Sequence, residues 1–322
     1  MSPDEALAAA ASFGIDVAGA VAVPVPGGWT NAILRIDAAS GRYVVRRYGR
    51  LHVTRRAILF EHRVMRHAAE RIAEVAPPLG DRRGRTLHES AGGLVAVFPY
   101  VEGSTGARDC AAGCSAARLL ARFHRTMGDV HLAGGTRSTR FLGILPWLRE
   151  RFQRFAAEPR TARSIDWSAL IAAVGSATVG VAACAAALPV CVVHGDPNPG
   201  NVVRAPDGDV RALIDFDFAH ETERVYDVGA LLDEFGRERH EAPLALERIA
   251  PIVNAYAAEA PLLAHERALI PEAMLRRAAT MAWYVATRHG ERIPGDVGGA
   301  PCYAARAVEI AVNAPRIRET LL

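Results

Sequence analysis

The sequence predicts an α+β protein with two lobes, a small strand-rich N-terminal lobe followed by a larger, mainly helical C-terminal lobe. Short apolar runs separated by Gly- and Pro-containing turns dominate roughly the first hundred residues, and helical periodicity dominates the rest. A chain of 322 residues is also long enough to form two lobes rather than one. We therefore divide it into an N-lobe over 1–98, a connector over 99–103 and a C-lobe over 104–322.

Strand and helix signals alternate in the N-lobe. A short amphipathic helix is predicted over 3–13. Thr54 is an N-cap candidate for a longer helix that runs to about residue 70, because Ile58, Val64 and Ala68 recur at helical spacing. Strands are predicted over 21–25, 32–36, 42–47 and 94–98.

The C-lobe is predicted to consist of helices interrupted by two short buried strands, at 190–193 and 211–214. No charged residue occurs over 167–193, a length that could cross a bilayer. Its small residues insert weakly into membranes and Pro189 interrupts it, so we interpret it as a buried helix followed by a strand. Helices are predicted over 115–127, 146–157, 168–187, 243–258, 271–288 and 303–313, with another beginning near residue 225.

Composition narrows the classes of partner. The formal net charge of +3 is too small to favour nucleic acid or an anionic membrane, and all 38 basic residues are arginine. The five cysteines lack the spacing of a zinc site, so free buried thiols are expected. Acidic residues near the N-terminus do not suit a signal peptide. We expect a cytoplasmic enzyme, monomeric or homodimeric, that binds neither nucleic acid nor membrane.

Polar residues cluster where two apolar strands end. Asp196 directly follows the strand at 190–193, in a loop stiffened by prolines, and Asn201 closes that loop. Asp215 and Asp217 follow the next apolar run. Each of these residues alone is more common as a cap or turn residue. Together they predict a site in a crevice between the lobes, where one carboxylate accepts a hydroxyl proton and the other oxygens hold Mg²⁺.

The pattern H-G-D-x-x-x-x-N, followed by I-D-F-D, resembles the aminoglycoside phosphotransferase and choline kinase-like superfamily, whose fold is protein-kinase-like. The resemblance implies that ATP is the phosphoryl donor and that Asp196 is the catalytic base. It also implies that Asn201 and Asp215 bind Mg²⁺, with Asp217 as an additional acid that we assign to the metal. His194 would brace the loop through hydrogen bonds.

The turn PGGWTN resembles the loop that covers the phosphates of ATP in this superfamily. Gly27 and Gly28 would let backbone N–H groups approach phosphate, and Thr30 or Asn31 would add donors. A plain hairpin with no role in binding is an equally good interpretation of two glycines in a turn.

The strand RYVVRRY should carry the lysine that pairs with the nucleotide phosphates, but the chain contains no lysine. The resemblance places Arg46 at that position, with Arg47 on the opposite face of the strand. Arginine keeps the charge and can grip phosphate with two hydrogen bonds. Glu61, the single acid in a strongly basic helix, is the predicted partner of Arg46. The departure leaves open a weakly active enzyme or a pseudokinase.

The segment VFPYVEG resembles the superfamily's hinge, so adenine is expected to bind backbone groups near Pro99, Tyr100 and Val101. His124 and Asp227 are interpreted as structural residues. Asp227 begins a helix and is predicted to brace the loop that carries Asp196.

The acceptor is predicted to be a small molecule with a hydroxyl group, since no segment for a peptide substrate follows Asp215. The phrases DFDFAHETERVYDVG and PLLAHERALIPEAMLRRAA look similar to homoserine kinase-like members, which favours a small amino-acid or amino-alcohol acceptor. Two alternatives remain: an aminoglycoside-type antibiotic phosphotransferase, and a pseudokinase module that only binds nucleotide. Trp283 and Arg288, on the helix at 271–288, are candidate acceptor contacts, although core packing is the more common role for a residue such as Trp283.

Overall fold

The structure is a computed structural model that describes residues 1–25, 31–49, 54–90, 92–128, 130, 132, 141–158, 164–182, 188–287 and 299–321. The described residues form two compact units. The first contains Met1–Ser104 and Val203–Asp217, and the second contains Thr105–Val130, Arg137–Val202 and Phe218–Leu322.

The grouping differs from the predicted lobes at Val203–Asp217, which belongs to the first unit. Backbone hydrogen bonds explain this difference. Leu213 N–H donates to the Glu74 carbonyl at 2.8 Å, and Ser104 and Arg204 exchange two hydrogen bonds of 2.9 Å. The segment therefore extends the first unit although in sequence it lies between two parts of the second.

The first unit is built on a five-stranded antiparallel sheet in the order β1-β2-β3-β5-β4. Its strands are β1 (Val21–Pro24), β2 (Ala32–Ala38), β3 (Gly41–Arg47), β4 (His88–Ser90) and β5 (Gly93–Pro99). Helix α1 (Pro3–Ser12) begins with a capping box between Ser2 and Glu5. The predicted cap of α2 (Arg55–Ala69) is confirmed, because Thr54 Oγ1 accepts the Ala57 N–H at 3.2 Å.

Alternation along the strands sends side chains to opposite faces of this sheet. Val45 and Val97 pack in one core with Ala6 and Ala10 of α1. Ala96 instead packs with Ile58 of α2 in a second core. Odd positions of β3 and β5 therefore face α1 and even positions face α2, as a period of two requires.

The second unit is mainly helical. Helix α3 packs against α7, while α9 packs against both α6 and α10. These helices are α3 (Cys110–Met127), α4 (Phe141–Ala157), α5 (Trp167–Ala182), α6 (Val225–Phe235), α7 (Ile249–Glu259), α8 (Ala264–Ala268), α9 (Ile270–Thr287) and α10 (Ala300–Glu319). The predicted α+β class is confirmed. No helix in the described part of the chain is both long and apolar enough to span a bilayer.

Four further strands form two small sheets. Strand β6 (Val190–Val193) pairs antiparallel with β9 (His220–Glu223), and β7 (Val202–Arg204) pairs with β8 (Val210–Leu213). The strands that precede Asp196 and Asp215, β6 and β8, therefore belong to different sheets. The predicted helix at 243–258 is also shorter. Ala245 N–H donates to the Gly236 carbonyl at 2.8 Å, and α7 begins only at Ile249.

Gly229 lets α6 approach α9 closely. A Cβ atom at this position would lie 2.4 Å from the Ala273 carbonyl carbon and 2.6 Å from the Met274 nitrogen. We expect Gly229→Ala to force the helices apart and to lower the free energy of unfolding by about 1–3 kcal/mol in urea titrations.

Gly175→Ala on α5 is the matched control. The nearest atom to its new Cβ would be 3.5 Å away, an ordinary contact. We expect this variant to be neutral or more stable by up to about 1 kcal/mol, because alanine favours helix interiors over glycine. Equal effects of the two substitutions would contradict the close contact between α6 and α9.

Candidate active site

The loop after β6 is held by one buried carboxylate. Asp227 Oδ2 accepts the His194 N–H at 2.7 Å, and Oδ1 accepts the Gly195 N–H at 2.9 Å. Asp227 lies in the first turn of α6. Because both oxygens bind consecutive N–H groups, the backbone that leads into Asp196 has one orientation. This is the bracing role predicted for Asp227.

Gly195 is required by the same loop. Its φ is 87°, in the left-handed region, and a Cβ atom would lie 2.2 Å from the Phe218 carbonyl oxygen. Any side chain here would collide with backbone. This steric constraint explains why the middle residue of H-G-D is glycine.

Asp227 is itself held by a buried hydrogen-bond chain. His124 Nε2 lies 3.0 Å from Asp227 Oδ2, and the Tyr256 hydroxyl lies 2.7 Å from His124 Nδ1. All three side chains are buried. Burial raises the pKa of Asp227, but the hydrogen bond from His124 and nearby positive charge outweigh it and hold that pKa below its ordinary value. Asp227 therefore stays ionised, and His124 is a packed structural residue as predicted.

Asp196 projects from this loop beside two polar groups of the second unit. Arg277 Nη2, from α9, donates to Asp196 Oδ1 at 2.5 Å. Asn201 Nδ2 donates to the Asp196 carbonyl at 2.9 Å and lies 3.5 Å from Oδ2. The structure thus brings the predicted Asp196 and Asn201 together. Arg277 was not predicted, since the sequence offers no signal that selects it over Arg276, the other arginine of α9.

The acceptor contacts predicted for this helix were Trp283 and Arg288. Trp283 packs edge-on against Trp147, with ring centroids 4.8 Å apart. Arg288 lies outside the described residues.

A second polar cluster surrounds Arg46 on the α2 face of the sheet. Arg46 Nη1 lies 3.2 Å from Glu61 Oε1, so the predicted ion pair is present. Nη2 lies 2.8 Å from Asp215 Oδ1 and also contacts Asp217 Oδ2. Arg47 extends to the other face, where it reaches Glu5 of α1 at 3.2 Å.

The acids of this cluster outnumber its one guanidinium. Burial raises the pKa of Glu61 well above its ordinary value, with Arg46 opposing the shift. Burial likewise raises the pKa of Asp217, again against Arg46. Burial would lower the pKa of Arg46, but Asp215 and the other anions raise it, so the guanidinium stays charged. Burial of Glu61 and Asp217 beside a single guanidinium therefore favours the protonated forms of these two acids.

Neutral groups close this cluster on the α2 side. The Tyr48 hydroxyl lies 3.3 Å from Glu61 Oε2 and 3.0 Å from His62 Nε2. His62 Nδ1 lies 2.8 Å from Thr86 Oγ1. Burial and the charge of Arg46 lower the pKa of His62 to about 3, so this ring is neutral at physiological pH.

Asn31 is tied to the protein at both ends of its amide. Nδ2 donates to Asp217 Oδ2 at 2.8 Å, and Oδ1 accepts the Gly49 N–H at 3.2 Å. Its predicted role as a phosphate donor stays a prediction. Gly27, Gly28 and Thr30 lie outside the described residues.

Asp215 and Asp217 present oxygen atoms suited to a divalent cation. Asp215 has a φ of 66°, the only positive φ of a non-glycine residue in the described chain, and its side chain is 44% exposed. Asp217 Oδ1 is buried and has no hydrogen-bond partner among the described residues. Strain and an orphaned carboxylate oxygen are both typical of ligand sites. No group of three or more His, Cys, Asp and Glu residues forms a metal site in the described part of the chain.

The predicted hinge continues the sheet. Pro99 ends β5, and the Tyr100 N–H donates to the Arg42 carbonyl at 3.0 Å. This N–H is therefore already paired, and the predicted contact of adenine with backbone groups near Pro99, Tyr100 and Val101 stays a prediction. Arg35 lies over the Tyr100 ring, 5.3 Å from its centroid.

Comparison with known proteins identifies the family to which this chain belongs. The model of the APH phosphotransferase enzyme family matches residues 21–296. The chain belongs to this phosphotransferase family. It is 27% identical over 257 residues to a homoserine kinase of Rhodopseudomonas palustris (strain TIE-1), which is 79% of this chain and 74% of the relative.

Solved structures resemble the phosphotransferase over nearly its whole length. A microcompartment-associated aminopropanol kinase has a TM-score of 0.73 at 16% identity, over 97% of this chain and 96% of that chain. A spectinomycin phosphotransferase in complex with ADP and spectinomycin has a TM-score of 0.70 at 12% identity, over 98% and 99%. These likenesses confirm the predicted kinase-like fold. With the family match, they make the chain a small-molecule phosphotransferase that acts on a hydroxyl group.

Asp227→Asn should destabilise the phosphotransferase, because an amide cannot accept both N–H groups of the loop. We expect a loss of about 3 kcal/mol in denaturant unfolding at pH 7. The native pKa of Asp227 is lowered, so its contribution is complete above the unfolded pKa of about 3.9 and disappears as pH falls through the native value. The difference in unfolding free energy between wild type and variant should be constant from pH 8 to 5 and should become smaller below pH 4. A deficit that widens on acidification would contradict an ionised Asp227.

Arg46→Met should leave three acids without their cation. We expect the free energy of unfolding to fall by about 3–5 kcal/mol at pH 7, because removing one partner of a buried ion pair leaves the other charge buried and uncompensated. Without Arg46 the native pKa values of Glu61 and Asp217 rise further, and an acid with a raised native pKa loses stability as pH rises above its unfolded value. The deficit should therefore grow from pH 5 to 8.

Arg47→Met on the opposite face is the control, with an expected change below about 1 kcal/mol because its salt bridge is partly exposed. A deficit for Arg46→Met that is as small as this, or that shrinks as pH rises, would argue against the buried acid cluster.

Proposed function

We propose that this phosphotransferase transfers the γ-phosphoryl group of Mg-ATP to the hydroxyl of a small acceptor, homoserine or a similar amino acid or amino alcohol. The observation that carries the proposal is the rigid placement of Asp196. Its backbone is held by Asp227 and its carboxylate retains an oxygen, Oδ2, that no strong hydrogen bond occupies. The identity to a homoserine kinase supports the choice of acceptor.

Asp196 is the general base in this proposal. Its carboxylate orients the acceptor hydroxyl and accepts its proton as the oxygen attacks the γ-phosphorus. A new O–P bond forms, the bond from phosphorus to the β–γ bridging oxygen breaks, and ADP leaves. Asn201 and Asp227 keep the loop in place, so that little reorganisation accompanies the transfer.

The proposal keeps Asn201, Asp215 and Asp217 as the Mg²⁺ ligands that the motif implies. The buried, unpartnered Oδ1 of Asp217 and the exposed carboxylate of Asp215 suit a cation that prefers oxygen ligands. Bound Mg²⁺ would supply positive charge at the phosphates. ADP in the spectinomycin phosphotransferase supports the choice of an adenine nucleotide.

Arg46 takes the place of the phosphate-binding lysine in this proposal. Its ion pair with Glu61 supports an active enzyme over a pseudokinase, since the partner residue has been kept along with the charge. The glycine-rich turn at Gly27 and Gly28, with Thr30 and Asn31, would cover the phosphates, and backbone groups near Pro99, Tyr100 and Val101 would bind adenine.

The proposal is tested by Mg-ATP consumption with homoserine, 3-aminopropan-1-ol, choline, a sugar and aminoglycosides as acceptors. Turnover with homoserine and 3-aminopropan-1-ol, and with none of the other acceptors, supports the proposal. Turnover only with an aminoglycoside would instead indicate an antibiotic phosphotransferase, and nucleotide binding with no turnover would indicate a pseudokinase.

Asp196→Asn should lower kcat by about 10²–10⁴, the usual contribution of a general base, and leave the Kd for ATP within a few fold. Asp209→Asn is the control, because it makes the same chemical change at an exposed carboxylate outside the motif. Single-turnover assays and calorimetric titration with ATP measure the two effects separately. A variant that keeps full turnover but loses ATP affinity would contradict the assigned role.

A further inference from the structure

Arg277 is a buried cation whose single ion pair among the described residues is with the proposed base. Its side chain is 5% exposed, and Nη2 donates to Asp196 Oδ1. The guanidinium Nε is also buried and has no hydrogen-bond partner in the described part of the chain. Guanidinium has five donors, and buried donors are almost always paired. Arg277 thus keeps hydrogen-bonding capacity next to the reacting carboxylate.

Two other buried arginines of the second unit, Arg306 and Arg237, are paired with structural acids. Arg306 Nε pairs with Asp233 at 3.2 Å, and Arg237 Nη1 pairs with Glu309 at 2.6 Å. These acids have no part in the proposed chemistry. Arg277 differs because its acid partner is the group that must also bind the acceptor hydroxyl.

An acceptor whose hydroxyl binds Asp196 would lie close to this guanidinium. Arg277 contacts Oδ1 of Asp196, while Oδ2 has only the long contact of 3.5 Å from Asn201. A hydroxyl that donates to Oδ2 is separated from the Arg277 contact by a single carboxylate carbon. A short acceptor therefore brings its remaining functional groups next to Arg277.

Charge decides which functional group is favourable there. Arg277 already neutralises Asp196, so a second cation from the acceptor gains little from that carboxylate and is repelled by the guanidinium. A carboxylate on the acceptor can instead receive the unused donors of Arg277, in the planar arrangement that guanidinium favours.

We infer that Arg277 binds an anionic group of the acceptor and that the acceptor is a hydroxy amino acid or related hydroxy carboxylate rather than an amino alcohol. This inference rests on the proposed phosphotransfer with Asp196 as base. It assigns Arg277 as a specificity-determining residue that contacts the substrate.

Two acceptors that differ by one group test it. L-homoserine and 3-aminopropan-1-ol share the hydroxyl, the chain length and the amine, and only homoserine has a carboxylate. Wild-type protein should prefer homoserine by about 10- to 100-fold in kcat/KM, the factor expected for one charge-assisted interaction. Calorimetric titration with each acceptor should show the same order of affinity.

Arg277→Gln should remove the preference mainly by raising KM for homoserine, with little change for 3-aminopropan-1-ol. Arg277→Lys should keep part of it, because the charge remains and the planar donor pair is lost. Arg316→Gln, the same substitution at an exposed position of α10, should leave the ratio unchanged. Thermal unfolding establishes that each variant is folded. If Arg277→Gln does not fold, the preference of the wild-type protein for homoserine over 3-aminopropan-1-ol still tests the inference.

The inference is overturned if wild-type protein uses or binds 3-aminopropan-1-ol as well as homoserine, or if folded Arg277 variants keep the full preference. Failure of phosphotransfer is a separate outcome. Absence of turnover with every acceptor rejects the proposed function, and the binding titrations then decide for or against the carboxylate contact.

Discussion

The structure of the second unit's site depends on two hydrogen bonds to one carboxylate. Asp227 accepts the N–H groups of His194 and Gly195, and it can do so only because its charge is retained in a fully buried position. His124 supplies the compensating hydrogen bond. The orientation of Asp196 follows from this, since the next residue of a chain held at two consecutive N–H groups has little freedom.

The polar cluster around Arg46 in the first unit depends on a balance between one positive charge and several acids. One guanidinium, that of Arg46, is shared by three acids, and burial raises the pKa of Glu61 and of Asp217 despite its positive charge. Arginine has donors enough to contact all three carboxylates, whereas a lysine has a single nitrogen. A chain without lysine thus retains a buried cation at this position. The surplus of acid is the property expected of a site that receives a divalent cation.

Several features were predictable because they depend on local spacing. Thr54 caps α2 and Arg46 faces Glu61, since a cap and a period of two act over a few residues. Other features were missed for physical reasons. The polar strand β9 forms only because β6 offers it a partner. Helix α3 begins at Cys110, earlier than predicted, because Asp109 caps it and Gly113, a helix-weakening residue, is accommodated by close packing against Ile252.

The order of amino acids was sufficient to predict the α+β class and the phosphotransferase family, because these follow from periodicity and from a short pattern with fixed spacing. The same pattern selects Asp196, Asn201 and Asp215 as the candidate site residues, and their roles stay predictions. The position of Arg277 against Asp196 could not be predicted. These residues are 81 positions apart, and α9 carries neighbouring arginines that are indistinguishable in sequence. Only the packing of α9 in the second unit selects which guanidinium reaches the carboxylate, because helix rotation and burial are set by contacts distant along the chain.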